Sequence, residues 1–559
     1  MKLTKQIGVI VLALVMVIGL IGCGTKGAET SPAADASAAP VATGGTLNVM
    51  VEVEVASLDP QIATDGTSFE VIADFTDGLK QMDADGAAVN ALCAEETVSD
   101  DGLTYTFKIR DDANWSNGDP VTADDFVFGW QRAVDPANAS EYSYMMSDIG
   151  QIKNAAEIIA GKKPVTDLGV TAVDEKTLKV ELNVPVSYFD SLLYFPTYYP
   201  INRAFYEGLA TGTFGTSPAT VLSNGAFILE SYEPATLNFT LKKNPNYYDA
   251  DKVQLDGLNY QVIKDSQQAL MSYQNGDLDI VKLSGDQVDQ VKDDPELNVV
   301  GAGYLWYLTM NGHDVEALGN ANMRLAITNA INRETIVTDV VKDGSVATYT
   351  AVPPQFAAGP DGSDFSGDQT KFADVCADDT AKAAEYYAKA CDELGQNSFT
   401  FELLVEDQTE TQNVATVLKE QLEAALPGVT LNIKVEPKKQ RVEDIQSGKY
   451  EVCLTRWGPD YADPMTYLAM WVTGNSNNYG LWSNADYDAI IADCTTGKYV
   501  TDLEGRWNAM YDAAKIVMDE AVIAPIYTKA DANMIKSNIT GIEFHPVALN
   551  RVYKNTVKG

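Results

Sequence analysis

Asp100-Asp101-Gly102-Leu103-Thr104-Tyr105-Thr106-Phe107-Lys108-Ile109-Arg110, followed by Asn114-Trp115-Ser116-Asn117-Gly118-Asp119-Pro120-Val121-Thr122-Ala123-Asp124-Asp125-Phe126-Val127-Phe128-Gly129-Trp130, is the stretch that decides the fold. Thr104, Thr106 and Lys108 alternate with Tyr105, Phe107 and Ile109, which predicts a strand with one buried face, entered through the Asp101-Gly102 turn. Trp115 to Pro120 reads as a tight turn. Thr122 is placed to cap a following helix with Asp125 three residues on, and Phe126 and Trp130 fall four apart on one helical face. Taken by itself, the segment is a packing unit without chemistry.

In this order and spacing the same residues resemble the extracellular solute-binding proteins of the oligopeptide/dipeptide/nickel class, family 5, the soluble receptors of ABC importers. The resemblance implies an α/β, two-lobed periplasmic-binding-protein-like fold with a hinge (class II), carrying an extra domain on the first lobe. Ser223-Asn224-Gly225-Ala226-Phe227 resembles the family's Asn-Gly-Pro-Tyr segment, and Ala524-Pro525-Ile526-Tyr527 resembles the return of the chain to the first lobe. Asn322 to Arg333 is read as an amphipathic helix of the second lobe. Helix Thr380 to Leu394, strand Phe399 to Val405, helix Thr411 to Leu426 and strand Thr430 to Val435 alternate as α/β units. The expected organisation is lobe I from 46–79, 202–304 and 525–559, the extra domain over 80–201, and lobe II over 305–524. Two strands joined by an Asp-Glu-Lys turn are expected between Leu168 and Leu182.

Lys2 and Lys5 precede an apolar run from Ile7 to Gly22, the pattern of a secretory signal over residues 1–22 and short for a membrane span of about 20 residues. Leu20-Ile21-Gly22-Cys23 resembles a bacterial lipobox, which implies lipidation of Cys23 and an extracytoplasmic protein anchored to the cell membrane. Residues 23–45 are dominated by Ala, Ser, Thr, Pro and Gly and read as a flexible tether.

The chain has 559 residues, of which 45% are hydrophobic, so core burial is not limiting. Its net charge of −39, from 79 acidic and 40 basic residues spread along the chain, argues against nucleic acid as partner and suits solubility. Six cysteines include Cys23, leaving an odd number that reads as free thiols. Cys376 and Cys391 bracket a helix and would stand too far apart to bridge.

Trp457-Gly458-Pro459-Asp460-Tyr461-Ala462-Asp463-Pro464 carries the candidate chemistry. A carboxylate beside a Trp on a rigid turn can pair with an α-ammonium while the indole covers the ligand. The resemblance places that role on Asp460, with Asp463 structural. Position by position it adds Gly66, Tyr142, Tyr307, Trp457 and Gly458 as ligand-binding residues. Arginines that meet the peptide carboxylate in a family member would fall near Ile445 and Leu454, which cannot do so; Lys438, Lys439, Arg441 and Arg456 are the available substitutes.

With two histidines, His313 and His545, no Gly-x-Ser-x-Gly, no His-Glu-x-x-His and no phosphate loop, a catalytic reading has little to stand on. Asp83-Ala84-Asp85-Gly86 reads as a turn rather than a calcium loop, because Gln81 and Leu92 occupy ligand positions. The expectation is a monomeric, non-enzymatic oligopeptide receptor without cofactor or metal that delivers its ligand to ABC permease subunits. The alternatives are the same fold binding a nickel chelate, an oligosaccharide or an opine-like solute, or a peptide-pheromone receptor without import.

Overall fold

The computed structural model describes residues 44–84, 86–367, 372 and 375–559. The signal sequence, Cys23 and nearly all of the tether lie outside the described residues. Strand Thr104–Ile109 buries Tyr105, Phe107 and Ile109 and leaves the alternate residues facing outward, as the alternation requires. Helix Ala123–Val134 opens on a complete capping box. The Asp125 backbone N–H donates to Thr122 Oγ1 (3.3 Å), and the Thr122 N–H donates to Asp125 Oδ2 (2.9 Å). The same carboxylate oxygen accepts the Trp115 indole N–H (3.0 Å), which ties the turn to the helix it precedes. Phe126 and Trp130 are fully buried, each contributing roughly 1.5–3 kcal/mol of apolar burial. With Cys93–Val98, Val170–Asp174 and Thr177–Glu181, the first strand builds a four-stranded antiparallel sheet.

The lobes share one large sheet. Its first-lobe half runs Phe227–Ser231, Asn238–Lys243, Gly257–Val262, Thr46–Val51 and Ile280–Leu283; its second-lobe half runs Val452–Trp457, Phe399–Glu406 and Val429–Glu436. Between the halves lie two long antiparallel strands, Leu297–Met310 and Ile523–Ile535. Leu297 to Gly301 pairs with Met534 to Ala530 beside the first-lobe half, and Leu305 to Met310 is flanked by Ile523–Thr528 and Val452–Trp457 in the second. The register slips between Gly301 and Leu305, so the crossing point is a bulge where the ladder is interrupted.

Gly303 occupies that bulge at φ +72, and a Cβ there would overlap the Pro546 carbonyl oxygen. Its own carbonyl accepts the Tyr467 hydroxyl (2.6 Å). Lys529 and Asp531 flank the crossing on the partner strand. Lys529 pairs with Asp343 and with Glu410 (2.7 Å), whereas Asp531 pairs with Lys282 (2.8 Å) of the first-lobe sheet.

The C-terminal residues close the first lobe. Lys558 Nζ donates to the Thr46 carbonyl (2.9 Å) and pairs with Asp279 (2.6 Å), Arg551 pairs with Glu70 (3.1 Å), and the Gly44 N–H donates to the Lys558 carbonyl (3.2 Å).

The expected α/β units of the second lobe form, as Thr380–Leu394, Phe399–Glu406, Thr409–Ala425 and Val429–Glu436. The helix expected from Asn322 to Arg333 differs. It runs Ala321–Asn329 and is buried on nearly every side rather than amphipathic, and a new short turn starts at Arg333, capped by Asn332. Arg324 is tolerated there because its guanidinium donates to the carbonyls of Leu318, Gly319, Glu520 and Ala521; Arg333 pairs with Asp378. The five described cysteines are free thiols, four of them buried.

Gly303→Ala is expected to destabilise the protein by about 2–4 kcal/mol, since it adds left-handed strain to a collision with rigid backbone. Urea unfolding measures it, and a loss under about 0.5 kcal/mol would show that the crossing does not require glycine.

Candidate functional site

A cleft of about 380 Å³ opens between the lobes at the crossing strands. Its walls come from distant parts of the chain: Asp65 and Gly66 at the start of helix Gly66–Phe75, Tyr142, Tyr304 and Trp306 on the first crossing strand, Lys438 and Arg441 on helix Lys438–Gln446, and Thr455 to Asp460.

Asp460 sits where strand Val452–Trp457 runs out into the Gly458-Pro459 turn. The turn is fixed from both sides: the Asp460 N–H donates to Thr466 Oγ1 (3.1 Å), and the Pro459 carbonyl accepts the Ala548 N–H (3.0 Å). Only 6% of Asp460 is exposed, and its Oδ2 accepts the Tyr144 hydroxyl at 2.8 Å. Among the described residues it pairs with no cation. Burial, opposed only by the Tyr144 hydrogen bond, pushes its carboxyl up to about 7. Asp463, three residues on, is held bidentate by Arg506 (2.7 and 2.9 Å) and caps the Met465 N–H (2.9 Å), so its carboxylate is already neutralised.

Of the residues expected at the site, Asp460, Trp457, Gly458, Gly66 and Tyr142 come together on the cleft wall. Tyr307 does not. Strand alternation turns it away, and it is 1% exposed in the core with its ring edge-on to Trp471 at 5.8 Å. Its neighbours Tyr304 and Trp306 face the cleft instead. Tyr304 also accounts for both glycines. A Cβ on Gly458 would run into its ring, and a Cβ on Gly66 would stand 3.1 Å from its hydroxyl. Tyr142 stacks on Phe195 (5.4 Å) and meets Phe69 edge-on, giving an aromatic wall. The indole nitrogens of Trp306 and Trp457 are buried and have no acceptor among the described residues.

Sequence reasoning missed Tyr144, Tyr304 and Trp306. Tyr144 lies two residues past Tyr142, and Tyr304 and Trp306 alternate in a strand with Tyr307, so strand phase was the one signal available. Ile445 and Leu454 are each 1% exposed and packed among apolar neighbours. Lys438, Arg441 and Arg456 line the cleft, and Lys439 does not. Away from the cleft, Tyr188 stacks on Tyr461 at 4.9 Å, with Arg506 over the Tyr188 ring at 5.3 Å.

Two half-sheets joined by crossing strands around a shared cleft define a two-lobed ligand receptor. The chain belongs to the bacterial extracellular solute-binding proteins, family 5, whose middle-region family model matches residues 87–479. It is 33% identical to a dipeptide-binding protein of Lactococcus lactis over 98% of each chain. Among solved structures it resembles the substrate-binding domain of an oligopeptide ABC transporter from Bacillus anthracis (TM-score 0.83, 35% identity, 91% of this chain and 98% of the other). It resembles equally the pheromone receptor PrgZ, whose mode of peptide binding is described (TM-score 0.83, 32% identity, 92% and 100%). No described helix is long and apolar enough to cross a membrane.

The raised carboxyl of Asp460 contributes to stability below about pH 4, where it is protonated in folded and unfolded chains alike; that contribution is lost as the pH rises through about 7. Ligand-free Asp460→Asn is therefore expected to gain stability over the natural chain at pH 8 and to lose that advantage at pH 4. A difference that does not vary with pH, by urea unfolding, would mean that Asp460 ionises as an ordinary carboxylate.

Proposed function

We propose that this chain is the substrate-binding lipoprotein of an ABC importer, capturing extracellular oligopeptides in the cleft between its lobes and passing them to the membrane permease. The observation that carries the reading is Asp460, a buried carboxylate on the cleft wall with a hydroxyl donor and no cation. A peptide α-ammonium completes it: the ion pair supplies the countercharge, and Trp457 and Tyr142 cover the adjacent ligand backbone. The names of the relatives agree with this in cargo, since they bind dipeptides, oligopeptides or a pheromone peptide.

On this reading Cys23 carries the lipid, residues 23–45 tether the body to the membrane, and the protein works as a monomer without catalysis. We assign lobe I to 46–79, 202–304 and 525–559, the extra domain to 80–201, and lobe II to 305–524. The likeness to PrgZ supports a second use of the same site, reception of a signalling peptide, which leaves the chemistry at Asp460 unchanged.

Native mass spectrometry of residues 46–559, purified without added ligand, should release bound peptides; a sugar or a metal chelate in their place would overturn the cargo assignment. Asp460→Ala is expected to weaken binding of such a peptide by about 2–5 kcal/mol in calorimetry, because the ammonium is left unpaired. Affinity in the natural chain should also fall as the pH drops below about 7, where Asp460 takes up a proton that the incoming ammonium must displace. Unaltered affinity in the variant would remove Asp460 from the site.

A further inference from the structure

The turn that carries Asp460 is gripped from the opposite lobe by a residue outside the cleft. Tyr188 stacks face to face on Tyr461, with ring centroids 4.9 Å apart and planes 18° from parallel. The Arg506 guanidinium lies 5.3 Å from the centre of the same Tyr188 ring, so one side chain is met by both an aromatic face and a cation. Tyr461 and Arg506 are buried, Tyr188 is half-buried, and none of the three lines the cleft.

The two sides of this contact are fixed to different lobes. Tyr188 immediately precedes the short helix Phe189–Leu192, whose buried Phe189 packs on Tyr105 (4.7 Å) of the four-stranded sheet. That domain is fastened to the first lobe: Arg132 pairs with Asp59 (2.7 Å), the Ser140 hydroxyl donates to the Gln61 carbonyl (2.6 Å), and Phe195 meets Phe69 edge-on (4.9 Å). On the other side, Arg506 is held by both oxygens of Asp463 and donates through Nε to the Cys494 carbonyl (3.0 Å). Its helix, Leu503–Asp519, runs into Glu520, whose carbonyl accepts from Arg324 (2.8 Å) in the second-lobe helix Ala321–Asn329. Hinge bending that opens the cleft must therefore part Tyr188 from Tyr461 and Arg506.

We propose that Tyr188 is a positioning residue of the receptor: its ring clasps the lobes together from outside the cleft, with or without a peptide, and so sets how firmly every ligand is held. The clasp goes beyond the peptide reading above and rests on it only for the cargo. A contact made only in the closed form shifts the balance between open and closed forms by its own free energy. Because no ligand in the cleft meets Tyr188, that shift enters the affinity of all ligands as one common factor. Tyr144 acts differently, since its hydroxyl bonds the very carboxylate assigned to the ligand.

The test pairs small-angle X-ray scattering with stopped-flow release of peptides, on residues 43–559, which form a compact unit of their own. Ligand-free Tyr188→Ala should scatter as a more extended body than the natural chain, and Tyr188→Phe, which keeps the ring, should scatter as the natural chain does. Of alanine peptides two to six residues long, those that bind should leave Tyr188→Ala about three- to tenfold faster, by one factor for all of them, and should leave Tyr188→Phe at the natural rate. Tyr188→Leu repeats the comparison with the packing volume kept, should Tyr188→Ala prove unstable. Coincident scattering curves for the ringless variant and the natural chain would overturn the proposal, as would an unchanged release rate or a factor that differs from peptide to peptide. Failure of every peptide to bind the natural chain would be a failure of the peptide reading instead, and the scattering comparison, which needs no ligand, would still decide the clasp.

Discussion

Two strands hold this molecule together and let it bend. Leu297–Met310 and Ile523–Ile535 pair along most of their length, yet each end of the ladder belongs to a different half of the sheet. The interruption at Gly301 to Leu305 is the weak point for bending, because on either side of it the two strands are paired with each other in a regular ladder. The ionic anchors follow the same division. Lys529 and Asp531 stand two residues apart, and their partners lie on opposite sides of the crossing. The glycine-bearing bulge lies between these two sets of anchors.

The cleft inherits its character from that crossing. Its floor is the crossing strand itself, so Tyr304 and Trp306 are presented to any ligand by the element about which the lobes turn. The ring of Tyr304 rests where Gly458 lacks a side chain, and its hydroxyl reaches toward Gly66, so one residue touches both walls. Charge inside the cleft is mostly neutralised within the protein, which leaves the few unpaired groups to act on a ligand without competition. In a water-poor closed cleft such groups carry more weight than at an exposed surface.

Much of the scaffold was legible because it is local. The capping box at Thr122 and Asp125, the alternation from Thr104 to Ile109 and the α/β units after Thr380 depend on spacings of two to four residues, and these spacings are written in the chain. Asp460 was legible through its Trp-x-x-Asp context. The remainder depended on information that spacing does not contain. Tyr307 reads as the cleft residue in place of Tyr304 because a strand's phase relative to the cleft is set by its neighbours 148 and 218 residues away, Thr455 and Pro525. The segment from Asn322 to Arg333 has a helical period, but its helix is packed from all sides, and Arg324 and Arg333 look like solvent-facing residues until their buried acceptors are seen.

The interlock between the two ends of the body governs how the chain can be assembled. Strand Thr46–Val51 is an interior strand of the first-lobe half-sheet, and the side chain that bonds its first carbonyl, Lys558, lies 512 residues later. A chain that emerges from the ribosome amino end first thus holds this strand without sheet neighbours until Gly257–Val262 appears, and without its clasp until Lys558 does. A nascent chain that has not reached Lys558 lacks the contacts that join the two ends of the first lobe.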